Sequence, residues 1–227
     1  MHLPPPIGTT EFQQVSSVDE EQIKQDFSRF LPQLHRFLNS VPGLSDLHNV
    51  RKKKWKRGAP ASDGPFGTFA SDPSHWYSFN HGGRNEAQLN VGMFPDYFRI
   101  GLGFEMTGKK GGEPAHVHTL YAVFADSLRR QHADAEAMSE RLSLEVEWQP
   151  VNATHLEYAA PEEAVALLVD PPKEPQWIFW GRLLRRDQDA QILGDPEAFG
   201  RVLEDVLCSL VPYWVEANHR GHQMLRG

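Results

Sequence analysis

Residues 84–105 hold the groups best spaced for chemistry. Glu86, Gln88, Asn90 and Gly92 alternate with Ala87, Leu89, Val91 and Met93. Further on, Arg99, Gly101, Gly103 and Glu105 alternate with Ile100, Leu102 and Phe104. A strand sends successive side chains to opposite faces, so each run has one apolar and one polar face. Phe94-Pro95-Asp96-Tyr97 joins the runs as a hairpin turn. With Pro95 and Asp96 central, Gly92 opposes Arg99, Asn90 opposes Gly101, Gln88 opposes Gly103 and Glu86 opposes Glu105. Two facing carboxylates repel unless a cation or a shared proton lies between them. The two glycines leave an open floor on the polar face, and Arg84 and Arg99 border it. The chemistry expected there is a divalent cation held by Glu86 and Glu105, with a phosphate near the arginines. The alternative is a plain half-exposed face on which Arg84 or Arg99 pairs with the glutamates.

Asp72 lies upstream of Glu86-Ala87-Gln88. That set resembles the Asp…Glu-x-Gln variant of restriction endonucleases in the PD-(D/E)xK superfamily. The resemblance implies that Asp72 and Glu86 bind Mg²⁺ and that Gln88 positions the attacking water. Glu105 joins them from the facing strand on the hairpin geometry. The chain departs from the family's order because the strand-like residues 75–79 intervene. Two other acidic sets compete. One is Asp96 and Glu105 with Lys109. The other is Glu145-x-Glu147, with Asp126 or Asp134 as partner. Trp55, Trp76, Tyr77, Tyr97 and Trp148 offer stacking surfaces. In this the chain also resembles the small DNA-recognition modules of modification-dependent restriction systems, which bind without cleaving.

Charge is uneven along the chain. The 227 residues carry a net charge of -7. Residues 1–112 hold 13 basic and 11 acidic side chains, and residues 113–227 hold 10 and 19. Arg51, Lys52, Lys53, Lys54, Lys56 and Arg57 form one dense run around Trp55. A local basic field attracts phosphate whatever the total charge. The run therefore reads as a DNA-binding segment, with Arg84, Arg99 and the Lys109 turn as further phosphate contacts, or as a solvated surface loop.

Other chemistries have thinner support. His116-x-His118 would share one face if the segment were a strand, and His81, His132 or Glu113 could complete a zinc site. Cys208 falls among apolar residues and reads as a buried thiol. One cysteine excludes an intrachain disulfide framework. Gly108-Lys109-Lys110-Gly111-Gly112 lacks the spacing of a phosphate-binding P-loop.

The elements that must position these groups follow from periodicity. Residues 1–15 form a Pro-rich arm. A helix is expected after Ser17, with Ile23, Phe27, Phe30, Leu34 and Phe37 on its apolar face. Turn-rich residues 42–74 precede a short strand at 75–79 and the hairpin. A helix is expected over 122–141, a strand at 144–148, a short helix from Pro161 and an aromatic strand over 176–183. Asp195 caps a long amphipathic helix with Pro196 at its first position. The fold class expected is α+β: a single domain over residues 16–220, with an antiparallel sheet and a central hairpin packed against several helices. Residues 221–227 form a tail. No apolar stretch reaches the roughly 20 residues of a membrane span, and the N-terminus lacks a secretory pattern. The expected protein is cytoplasmic and DNA-interacting, in a restriction or phage-defence system. It is either a Mg²⁺-dependent endonuclease, a non-catalytic modified-DNA reader or a protein-partner adaptor. The partners expected are DNA and a second copy or another restriction-system subunit.

Overall fold

The computed structural model describes residues 67–69, 72–79, 87–93, 97–106, 114–185 and 187–225, with the backbone alone for residues 67–69, 72–79, 93, 114 and 196. The expected Pro-rich arm, the helix after Ser17 and the basic run lie outside these residues. The strands are β1 (Gly67–Phe69), β2 (Asp72–Phe79), β3 (Gln88–Met93), β4 (Tyr97–Glu105), β5 (Leu144–Pro150), β6 (Glu157–Ala159) and β7 (Pro175–Arg185). The helices are α1 (Pro114–Arg130), α2 (His132–Leu142), α3 (Pro161–Val169), α4 (Ala190–Gly194) and α5 (Pro196–Met224). The fold is α+β. The strand order is β1-β2-β3-β4-β7-β5-β6, which places the β3–β4 hairpin in the middle of the sheet. The pairs β1–β2, β5–β6 and β5–β7 are antiparallel.

Two compact units divide the chain. One holds residues 1–81, 90–100 and 183–205, and the other holds 82–89, 101–182 and 206–227. In the first, Phe98 of β4 meets Phe199 of α5 edge to face, with centroids 5.2 Å apart. There Asp195 caps α5 as expected: its Oδ1 accepts from the backbone N–H of Glu197 at 2.8 Å. This satisfies an amide that the first helical turn leaves unpaired.

In the second unit the helices cover one sheet face. Phe104 of β4 packs on Tyr121 and Phe124 of α1 at 5.3 and 5.0 Å. Phe124 and Tyr213 of α5 both meet Trp180 of β7. Trp180 Nε1 also donates to Ser139 Oγ of α2 at 3.2 Å, which pairs a buried indole N–H. Tyr121 donates to the Leu168 carbonyl of α3 at 2.7 Å. Burial pushes its phenol up, slightly offset by Arg129.

The single helix expected over 122–141 is two helices. The first starts eight residues earlier, at Pro114, and the break falls at Gln131, where φ is -117° and ψ is 29°. Ser143 then takes a left-handed conformation, φ 52°, which ends α2 and turns the chain directly into β5. Four elements went unread as such: β1, the start of β2 at Asp72, β6 and α4. All but β2 are five residues or shorter, too short to show a period.

A polar clamp ties α5 to α1. Glu216 accepts from Ser127 Oγ at 2.6 Å, Arg130 Nη2 at 2.6 Å and Arg220 Nη1 at 2.5 Å. Arg130 also pairs with Asp126. Burial alone would raise the Glu216 carboxyl. The hydrogen bonds from Ser127 and Arg220, with the charges of Arg130 and Arg220, outweigh it and hold the carboxyl below its ordinary value. A carboxyl lowered in the folded state stabilises above its unfolded value and loses that contribution as pH falls through the folded one. Glu216→Gln is therefore expected to be less stable than wild type at pH 7. The gap should close as the pH drops below the ordinary glutamate value of 4.5. Urea midpoints of both proteins between neutral and acidic pH measure this.

Candidate functional site

The strand β4 is buried along both faces, from Phe98 to Phe104. Its polar face carries Arg99, Gly101, Gly103 and Glu105. Asn90 and Arg99 meet as the hairpin geometry allows. Arg99 Nε donates to Asn90 Oδ1 at 2.8 Å, and the two side chains are 5 % and 1 % exposed. A buried guanidinium costs several kcal/mol of desolvation unless it is paired, so this bond holds Arg99 within the sheet.

The expected open floor is filled. A Cβ at Gly101 would meet the Trp180 carbonyl oxygen, the Gly181 Cα at 2.6 Å and the tip of the Phe179 ring at 2.6 Å. A Cβ at Gly103 would meet the tip of the Trp177 indole at 2.5 Å. The rings of Trp177 and Phe179 lie nearly parallel, 14° apart, with centroids separated by 6.5 Å. The glycines serve the packing of β7 and leave no open floor for a ligand.

The competing acidic pair lies on this same sheet face. In the β5–β7 register Glu145 opposes Gly181, Glu147 opposes Phe179 and Gln149 opposes Trp177. Directly opposed residues share a face. Glu147 is fully buried and accepts from Trp177 Nε1 at 3.0 Å. Across β5 it opposes Tyr158 of β6, which is 48 % exposed. Glu105, Glu145, Gln149 and Trp177 are half-buried.

Of the expected site residues, Asp72 opens β2 opposite Phe69, Gln88 opens β3 and Glu105 closes β4. Glu86, Arg84, Lys109 and residues 51–57 lie outside the described residues, as do His81 and Glu113. Among the described residues no three His, Cys, Asp or Glu side chains are placed to hold a metal ion. Of the three expected ligands, Asp72, Glu86 and Glu105, only Glu105 has a described side chain. His116 and His118 stand on α1, not on a strand, so the i, i+2 spacing turns them away from each other. His118 lies 4.0 Å from Glu174, and His132 lies 3.2 Å from Glu136 one helical turn on. Cys208 is exposed, contrary to the buried thiol expected. The stripe of α5 runs through Leu203, Val206, Leu207 and Leu210, and Cys208 sits one position off it.

One polar contact was not foreseen. Asn218 Oδ1 accepts from the Ala87 N–H at 3.0 Å, and Asn218 Nδ2 donates to the Ala87 carbonyl at 3.2 Å. Trp214 Nε1 donates to the same carbonyl at 2.8 Å. The sequence signal is periodic: Asn218 follows Leu210 and Trp214 at intervals of four, a polar residue in a buried stripe.

The class of protein defined here is an α+β chain. Its central hairpin joins a strand face of buried carboxylate, paired indole and glycine. No protein-family model matches the chain, and no curated protein matches it.

Glu147 is the group on this face whose loss is most legible. Glu147→Ala removes the acceptor of a largely buried indole N–H and opens a cavity, at about 2–4 kcal/mol. Glu147→Gln retains an acceptor oxygen and is expected to cost less. Urea denaturation gives both values. Tryptophan emission, expected to redshift only in the alanine variant, reports the indole environment.

Proposed function

We propose that the protein binds DNA within a restriction or phage-defence system in the cytoplasm. The observation that carries this reading is the run Arg51-Lys52-Lys53-Lys54-Trp55-Lys56-Arg57 in a chain of net charge -7. Six cations around one indole combine phosphate attraction with a stacking surface, the pairing that nucleic-acid segments use. Support for the restriction context is the Asp72…Glu86-Ala87-Gln88 resemblance. In that reading Asp72, Glu86, Gln88 and Glu105 form a Mg²⁺-dependent cleavage set. Arg99 braces the strand face through Asn90.

A non-catalytic reader of modified DNA shares the binding surface and differs only in lacking cleavage. Among the described residues no helix is long and apolar enough to cross a membrane.

Binding is measured by fluorescence anisotropy on unmodified and cytosine-modified duplexes at low and moderate salt. Cleavage is assayed on the same duplexes with and without Mg²⁺. The affinity is expected to fall linearly in log–log form with salt, with a slope near 0.9 per phosphate neutralised. Replacing Lys53, Lys54 and Arg57 together by Ala should reduce that slope by about one per lost contact. No binding at about 50 mM salt overturns the reading. Binding without cleavage, unchanged by Glu86→Ala, leaves the reader. A complex that forms only with another protein of the same cell favours the adaptor, and light scattering reports whether a second copy takes part.

A further inference from the structure

Ala87 is fully buried and immediately precedes β3. Its peptide groups are satisfied by a helix 131 residues away. The Asn218 carboxamide supplies an acceptor to the Ala87 N–H and a donor to the Ala87 carbonyl. These are the two groups that a neighbouring strand would offer. Trp214, one turn earlier on α5, gives the same carbonyl a second donor. Asn218 is 1 % exposed and Trp214 is fully buried, so no water can replace them cheaply.

The place of this clip matters more than its strength. Ala87 lies in the chain between Glu86 and Gln88. Strand side chains alternate, so a shift of one residue would turn Ala87 outward and carry Gln88 to the opposite face. A clip on both peptide groups of one residue blocks that shift. It does so where the strand enters the sheet.

We propose that Asn218 is a positioning residue for the polar strand face that Gln88 opens. It acts as a substitute strand neighbour that fixes which face Gln88 occupies. The inference rests on the DNA-binding reading for its consequence, but its geometric content is independent of that reading.

The test uses the full chain and two variants, Asn218→Ala and Trp214→Phe. Amide hydrogen exchange reads the clip directly. In Asn218→Ala the Ala87 N–H is expected to exchange at least about tenfold faster, while Glu147 and Phe179 in the β5–β7 pair keep their protection. The side-chain carboxamide resonances of Gln88 should shift. Affinity for duplex DNA should fall about tenfold with no change in salt slope, because no phosphate contact is lost. Trp214→Phe removes the indole N–H but keeps an aromatic ring and the Asn218 pair, and should show the same changes to a smaller degree. It carries the test if Asn218→Ala does not fold. Unchanged exchange at Ala87 and unchanged Gln88 resonances overturn the proposal. So does a folded variant that loses Ala87 protection but binds DNA as wild type. If wild type itself binds no DNA while the Gln88 resonances move, the functional reading falls and the positioning role stands.

Discussion

The sheet depends on how closely β4 approaches β7. At Gly101 the space a side chain would take is already held by the Trp180 carbonyl, the Gly181 Cα and the Phe179 ring. At Gly103 it is held by the Trp177 indole. Two missing side chains on one strand thus make room for two large rings from the next. The rings would otherwise lie over a strand with side chains of its own and be pushed off it. Because they fit, β4 is buried on both faces: α1 covers Phe104 on one, and β7 aromatics cover the glycines on the other. The two glycines differ in what they face. At Gly101 the neighbours include backbone, which cannot move without breaking the ladder. At Gly103 they are a ring tip that can tilt. Gly101→Ala is expected to cost more than Gly103→Ala, about 3 kcal/mol against about 1 kcal/mol, read from urea midpoints.

A core this rich in indole needs acceptors, since a buried N–H left unpaired costs about 1–3 kcal/mol. Each of three tryptophans finds one on a different element. Trp180 of β7 reaches Ser139 of α2, Trp177 of β7 reaches Glu147 of β5, and Trp214 of α5 reaches the carbonyl of Ala87. The apolar bodies supply cohesion, and the polar tips specify which surface meets which. Asn218 and Glu216 extend the same logic along α5. One pairs the Ala87 peptide just before β3 and the other pairs α1, so the part of the helix beyond Pro212 is held by directional bonds as well as packing.

Local pattern made the hairpin legible, because two alternating runs around a Pro-Asp turn state a strand pair without reference to anything else. The cap at Asp195 was legible for the same reason: Asp195, Pro196 and Glu197 are adjacent. What stayed hidden was supplied from a distance. The glycines showed room at 101 and 103, but the rings that fill it lie some 75 residues further along. His116 and His118 looked like a strand pair because the apolar helical spacing of Val117, Leu120, Tyr121 and Phe124 begins among them. Cys208 looked buried by its neighbours in sequence, yet one residue along a helix is a turn of about 100° around its axis. Asn218 gave a readable sign, a polar side chain in a buried stripe, but its partner could not be found from periodicity.

The candidate site was legible as a list of residue types and less so as an arrangement. Two acidic sets that compete in the sequence, Glu105 on the hairpin and Glu145 with Glu147 on a later strand, stand on one sheet face because β7 sits between β4 and β5. In the proposed reading the attraction to DNA comes from the clustered cations at 51–57 and acts locally. The charge of the whole protein is a poor guide for that reason, and the dependence of binding on salt is a good one. A surface that binds through six clustered cations answers steeply to ionic strength even when the protein as a whole is acidic.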